Sequence, residues 1–233
     1  MNMITRGTIE FLAVLLGLSV SLWIDNTVKE NEHKVQNKKI LNRLYHNLIS
    51  DSTDGMWNIK AYERGIKGST NVIKWCDSNP SLAMINDSIE KDISAMMIAT
   101  IFVHNEEEYI ALKNSGRTDL ISNEELVIKL HKYYTNINFI KTLDKFQNDF
   151  VQNNILPFLS NYADENLYDK QMPKNLIYKN FPKMNLYELP DIKKLRFFAS
   201  NMLTWQKYTK IWYEGQVKRV SEIRQLLREE LDL

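Results

Sequence analysis

A carboxylate inside an apolar run is the feature of this sequence that most strongly suggests chemistry. Glu10 precedes the segment Phe11–Ile24, in which no residue is charged. Acids at membrane depth usually face a bundle interior or water, and rings of such acids attract cations. Glu10 is therefore the first candidate functional residue. The alternative is a location at the lipid headgroups, or pairing with Arg6 one helical turn away.

Small and polar residues share one helical face with Glu10 when the segment is drawn at 100° per residue. Small residues allow membrane helices to approach closely. This face therefore predicts a homo-oligomer in which several copies surround a common axis. The candidate pore-lining or oligomer-interface residues are Glu10, Ala13, Val14, Gly17, Ser21 and Asp25.

The length and ends of this segment predict a retained transmembrane helix over residues 1–26, in contact with membrane lipid. Phe11–Ile24 alone is shorter than the roughly 20 residues of a full span, but counting from Ile4 brings it into range. The segment ends in bulky and then polar residues, and no small-residue cleavage site follows. A cleaved signal peptide and a buried soluble helix are the alternatives.

Basic residues after the segment predict its orientation. Positive charge concentrates on the cytoplasmic side of single spans. We therefore expect a single-pass protein of the inner (cytoplasmic) membrane, with residues 27–233 forming a cytoplasmic α-helical domain. The basic residues that follow the span are Lys29, Lys34, Lys38, Lys39 and Arg43.

A second candidate site is the aromatic and basic segment Thr204–Tyr213, with two further bases behind it. Aromatic side chains interleaved with bases can stack on single-stranded nucleic acid. The spacing of the aromatics also fits a core stripe, which is the preferred interpretation. Candidate contacts for a nucleotide or oligonucleotide ligand are Trp205, Lys207, Lys210, Lys218 and Arg219.

The sequence lacks the motifs of common enzymes. It contains no Walker A loop, dinucleotide-binding glycine pattern, nucleophile elbow, His-Glu-x-x-His motif or cysteine pair. His104 with Glu107 and Glu108 has helical spacing for a metal, but helix capping is the preferred interpretation. We therefore predict no enzyme activity, catalytic residue, metal or cofactor. Asp144 and Asp149 are expected on solvated helix faces.

The apolar spacing and the low glycine and proline content, 7 and 5 residues, predict an all-α protein. The span is expected to continue as one helix to about Asp51. The predicted elements after it are a helix at Thr53–Cys76, a helix from Asp87 through the run Met96–Val103, a helix from Asn105 to a stop at Gly116, a helix from Ser122 to Pro157, a long connection at Leu159–Pro190, and a helix from Asp191 to Leu231.

Two parts of the chain resemble a bacterial family of unknown function that has an N-terminal membrane helix. The first is Glu10-Phe-Leu-Ala-Val-Leu-Leu-Gly17 with Trp23-Ile-Asp-Asn26. The second comprises Tyr109-Ile-Ala-Leu-Lys-Asn-Ser-Gly116, Asp119-Leu-Ile-Ser-Asn-Glu-Glu-Leu126 and Tyr133-Tyr134. The resemblance implies a membrane-anchored helical domain. Val127 stands where the family has a basic residue. By architecture only, the chain is similar to small membrane effectors of bacterial anti-phage defence.

Two functions from different classes follow. The first is an ion-conducting pore, gated through the cytoplasmic helical domain. The second is a non-conducting membrane-anchored scaffold or sensor that binds a partner protein. Glu10 separates them, because only a pore predicts that the Glu10→Gln substitution changes ion selectivity or conductance.

Overall fold

A computed structural model describes residues 3–79, 83–116, 118, 121–162, 188–189 and 191–232; the side chains of residues 3–10, 83–84 and 188–189 lie outside this description. The protein is all-α, as predicted, apart from one pair of two-residue antiparallel strands. The helices are α1 (Met3–Ser78), α2 (Asp87–Met96), α3 (Glu107–Asn114), α4 (Glu124–Phe150), α5 (Leu156–Ser160) and α6 (Ile192–Leu231), and the strands are β1 (Ala83–Met84) and β2 (Glu188–Leu189).

Helix α1 is continuous over 76 residues. The predicted break between Asp51 and Thr53 is wrong. The residues there favour turns, but their polar side chains can form hydrogen bonds while the backbone stays helical. The Thr53 hydroxyl, for example, donates to the Ile49 carbonyl one turn back. Gly55 allows α6 to approach, since a Cβ added there would lie 2.9 Å from a methyl group of Val217. Tertiary packing outweighs the local preference for a turn.

The helices enclose two apolar clusters with buried polar residues between them. The cluster nearer the amino-terminal part of α1 includes Leu44, Tyr133 and Tyr213. The farther cluster includes Val72, Ile155 and Met202. Along α1, α4 and α6 alike, polar positions separate the two clusters. We call these buried side chains the polar layer: Ser69, Asp144, Gln147, Gln206 and Thr209.

Hydrogen bonds tie the polar layer together. The Gln147 amide donates to the Thr209 hydroxyl over 2.7 Å, and the Ser69 hydroxyl donates to the Gln206 side-chain oxygen over 2.9 Å. Buried polar groups are costly unless they are paired in this way. The layer therefore fixes the register of α1, α4 and α6.

The segment after α2 is irregular, and the prediction that the helix continues through Val103 is wrong. Helix α2 starts at the cap Asn86 and ends at Met96. Gln206 donates to the carbonyls of Met96 and Ile98 at 2.8 and 3.0 Å. Because these two carbonyls find a partner outside the segment, the chain can leave the helix there with both of them hydrogen-bonded.

The predicted helix ends at Gly116 and Asp191 are confirmed, since Gly116 has φ of 67° and the Asp191 side chain accepts from the Lys194 N–H at the start of α6. The caps of α2 and α4 each lie one residue from the predicted starts at Asp87 and Ser122: Asn86 caps α2 and Asn123 caps α4. Helix α4 ends at Phe150, before Pro157, which was expected to close or kink it, and Pro157 lies in the first turn of α5. A π-helical segment, Val151–Ile155, joins α4 to α5. The predicted connection Leu159–Pro190 falls mostly outside the described residues.

Candidate functional site

The amino-terminal third of α1 projects away from the packed helices. In the range 11–36, no side chain is buried, and the first buried one is Asn37. Of the helices in the described part of the chain, α1 is the one long and apolar enough to cross a membrane. Helix α1 shows no interruption at residue 26, the predicted end of the span.

The predicted pore-lining residues all belong to this projecting part. Ala13, Val14, Gly17, Ser21 and Asp25 are exposed. A Cβ added at Gly17 would meet no described atom within 4 Å. Glu10 is part of α1, and its side chain lies outside the described part of the structure. The face is therefore open to contact by lipid or by another helix.

A second constellation, absent from the sequence predictions, is a set of three carboxylates that hold the irregular segment 97–106. The carboxylate of Asp144 on α4 accepts from the Phe102 N–H at 3.0 Å, and from the hydroxyls of Tyr213 at 2.6 Å and Tyr62 at 3.0 Å. Asp144 is buried, so the expectation of a solvated position is wrong for this residue. It thereby connects α1, α4, α6 and the segment.

The other two carboxylates come from α1. Asp51 accepts from the Asn105 N–H at 3.2 Å and from the Tyr133 hydroxyl at 2.9 Å. Asp54 accepts from the Val103 N–H at 3.0 Å. Helix α1 therefore binds the segment through two carboxylates that lie one turn apart. We call Asp51, Asp54 and Asp144 the carboxylate clamp.

Burial shifts the protonation of the clamp. Desolvation is the largest cause that raises the pKa of Asp51 and that of Asp144, each to about 6. Donated hydrogen bonds from Tyr133, and from Tyr213 and Tyr62, respectively, oppose that rise. Desolvation also raises the pKa of Asp54. Asp51 and Asp144 therefore hold their protons to a higher pH than ordinary carboxyl groups do.

The geometry of the clamp suits a structural or responsive role better than catalysis. Each carboxylate is occupied by donors from the fold, and a general base needs a free oxygen facing substrate. Among the described residues, no group of three or more His, Cys, Asp and Glu side chains is arranged to hold a metal ion. The sequence carries a signal that was missed: Asp144 continues the apolar stripe of α4 four residues after Ile140.

The side chains of His104, Glu107 and Glu108 have different neighbours and do not form one site. The His104 ring stacks on Phe102, with centroids 5.6 Å apart, and its Nε2 lies 3.5 Å from the Glu106 carboxylate. Glu107 and Glu108 stand in the first turn of α3, where acids are favourable. Glu108 forms a two-pronged pair with Arg43, at 2.6 and 2.9 Å.

The aromatic and basic candidates on α6 face different neighbours. Trp205 contacts Phe146 of α4, with ring centroids 4.7 Å apart. Lys210 pairs with Glu63 of α1 and with Glu214, both at 3.2 Å. The Arg219 guanidinium donates to Gln216, while Lys207 and Lys218 are exposed. The structure therefore does not place Trp205 and Lys210 on one surface.

The core interpretation of the α6 aromatics holds for Trp212, which is half-buried against the first apolar cluster, and is wrong for Tyr208. The buried face of α6 runs through Gln206, Thr209 and Tyr213 instead, so the aromatics flank it. Tyr208 is 42% exposed. Successive ring contacts at 4.6 to 6.3 Å form what we call the aromatic strip, which consists of Phe139, Phe146, Trp205, Tyr208 and Trp212.

The chain matches no protein-family model, no curated protein and no solved structure.

Proposed function

We propose that the protein is a homo-oligomeric, single-span membrane protein whose α1 helices surround an ion-conducting pore gated through the helical domain. The exposed, apolar amino-terminal third of α1 carries this proposal. Its apolar side chains, among them Phe11 at 66% and Leu16 at 64% exposure, are left largely uncovered by the rest of the described chain. A membrane would cover the large side chains, and other copies would cover the small and polar face.

The acid on this face supports a pore over a simple anchor. Glu10 stands in the same helix as Gly17 and Ser21, at spacings that bring all three to one side. One span cannot provide a partner for a carboxylate at membrane depth. Several copies can, because they turn the acids toward a shared aqueous axis. A ring of carboxylates favours cations.

The continuity of α1 supports coupling between this axis and the domain. Glu10 and Asp51 belong to one helix and are separated by about 60 Å, at 1.5 Å per residue. Asp51 and Asp54 accept hydrogen bonds from backbone N–H groups of the irregular segment 97–106. A ligand or partner that displaces this segment would act directly on the helix that enters the membrane. The domain thereby receives the gating signal in the proposed mechanism.

The location proposed is the inner membrane with the helical domain in the cytoplasm, since Lys29 and Lys34 follow the span. Membrane lipid and further copies of the chain are the proposed partners. The combination of a short span and a cytoplasmic helical domain is similar, by architecture only, to small membrane effectors of bacterial anti-phage defence, and we propose a role of that kind.

Ion flux through reconstituted liposomes tests the proposal. We expect the wild-type protein to pass K⁺ in preference to Cl⁻, as read from the reversal potential in a KCl gradient. Glu10→Gln should lower this preference. Glu30→Gln is the matched control, because Glu30 carries the same charge but lies beyond the apolar segment. No flux through the wild type would contradict a pore, and equal selectivity in the two variants would contradict Glu10 as a residue that lines it.

The aromatic strip favours a second candidate, a non-conducting membrane-anchored scaffold or sensor that binds a partner protein. Exposed aromatic rings are frequent anchors at protein interfaces. In that case Tyr208→Ala would abolish capture of the partner and leave the liposomes impermeable. Lys207→Glu serves as the control, because Lys207 is exposed on the same helix but makes none of the ring contacts.

A further inference from the structure

The exposed part of α1 carries a repeat that extends beyond the membrane segment. Apolar, small and amide residues recur with alternating spacings of three and four residues. This is the heptad spacing of parallel helices that pack along a common seam. We call these positions the seam: Val14, Gly17, Ser21, Ile24, Val28, Asn31 and Val35. The same spacing, followed backwards in the sequence, reaches Glu10.

The last three seam positions lie in a polar stretch beyond the apolar segment, so contact with lipid does not explain why two of them are valine. Val28 is 50% and Val35 is 55% exposed, although Lys29, Glu30 and Lys34 surround them in sequence. The first buried side chain is Asn37, two residues after the seam ends. Residues 27–36 therefore form a stalk of about 15 Å between the apolar segment and the packed domain.

We propose that the seam of the stalk docks against the same seam in further copies of this chain, parallel and in register. This inference rests on the proposed homo-oligomer and names where its subunits meet outside the membrane. A single span with one orientation places all stalks side by side, so only a parallel arrangement is available. The alternation of spacing then brings Val28 and Val35 of each copy to the axis.

Charged residues occupy both flanks of the seam in the stalk. Glu32 follows the seam residue Asn31 on one flank, and Lys34 precedes the seam residue Val35 on the other. An apolar seam bordered by charged flanks is the pattern of helices that associate along that seam.

Asn31 gives the stalk a fixed register. Its amide stands between Val28 and Val35, where an apolar residue would bury more surface. A single amide at a seam position costs stability but pairs only with its counterparts in aligned helices. The aligned stalk carries the symmetry of the membrane segment up to the first packed residues of the domain.

Disulfide cross-linking of the full-length protein in its membrane tests the seam. Wild-type protein provides the baseline, because its single cysteine, Cys76, is buried and burial raises the pKa of its thiol to about 11. Val28→Cys and Val35→Cys should form covalent dimers on oxidation at least several times faster than His33→Cys. His33 is equally accessible on the opposite face of the stalk, and all three positions are exposed, so the fold is retained.

Cross-linking at His33→Cys as fast as at Val28→Cys, or none at Val28→Cys and Val35→Cys, would overturn the proposal. The mass of the detergent-solubilised particle separates the outcomes. An oligomer without cross-links at the seam overturns the stalk and leaves the pore standing. Cross-links at the seam without ion flux confirm the stalk and overturn the pore. A monomer overturns both.

Discussion

The hydroxyl of Tyr213 lies 2.6 Å from the carboxylate of Asp144 and joins α6 to α4 at the centre of the helical domain. The second oxygen of Asp144 accepts from Tyr62 of α1. One carboxylate thereby holds the three long helices and, through the Phe102 N–H, the irregular segment beside them. Removal of this group leaves three donors without their acceptor.

Asp144→Ala is therefore expected to destabilise the domain strongly. Burying donors without a partner costs about 1 to 3 kcal/mol for each group, so we expect a loss of at least about 3 kcal/mol. Asp144→Asn keeps one acceptor oxygen and should lose less. Chemical unfolding of the protein in detergent measures both. Asp149→Ala is the control, since Asp149 is exposed and pairs with Lys145 on its own helix. Equal stability of Asp144→Ala and Asp149→Ala would contradict this role.

The stability of the domain should depend on pH through the clamp. Because burial raises the pKa of Asp51 and of Asp144 to about 6, the folded state favours their neutral forms. The stability that they contribute is complete below about pH 4 and is lost as pH rises through about 6. The effect is at most about 3 kcal/mol per carboxylate. Unfolding between pH 4 and 7.5 measures it.

The double variant Asp51→Asn with Asp144→Asn is the reference for that titration. It should show a smaller fall in the free energy of unfolding between pH 4 and 7, because neither amide titrates. Identical slopes for the wild-type protein and the double variant would show that the two carboxyl groups have ordinary pKa values in the folded state.

Gly68 should not tolerate a side chain. An added Cβ would lie 2.7 Å from the Asp92 carbonyl oxygen and 2.7 Å from the Ala95 side chain, which belong to α2. Gly68→Ala is therefore expected to cost about 1 to 3 kcal/mol by overpacking. Gly17→Ala is the matched control within α1, because its Cβ would meet no described atom. Thermal unfolding of the helical domain should distinguish them, and equal midpoints would contradict the packing of α1 on α2.

Enlarging the side chain at Gly17 is expected to affect the assembly of the protein and not the stability of its helical domain. Gly17→Leu meets nothing within the described chain, but it enlarges a position that close packing between copies requires to be small. We expect a lower mass of the solubilised particle, with the stability of the helical domain unchanged. Ser19→Leu makes a comparable enlargement on the opposite face of the helix. If Ser19→Leu reduced the mass as much as Gly17→Leu, the face assigned to the interface would be wrong.

Local signals in the sequence were sufficient to predict that the chain is helical and where several of its helices begin or end. Asp191 and Gly116 act within one turn, and their capping chemistry needs no knowledge of distant residues. The continuity of α1 past Asp51 could not be predicted in this way. The residues there favour a turn, and contacts with α4, α6 and the segment 97–106 stabilise the helix instead.

Distant partners also explain why the clamp was missed. An aspartate in an apolar stripe is costly unless donors surround it, and the donors of Asp144 come from positions 42 to 82 residues away. The aromatics of α6 were misplaced for a related reason. Their spacing is helical, but polar residues occupy the buried face, where Gln206 and Thr209 complete a hydrogen-bonded layer.

The mass of the full-length protein in detergent tests the central claim most directly. Light scattering with the detergent contribution subtracted gives the number of chains in the particle. The proposed pore predicts a discrete closed oligomer of three or more copies of the 27.5 kDa chain. A monomer would contradict it, because one α1 helix encloses no axis and Glu10 would have only lipid headgroups and water as partners.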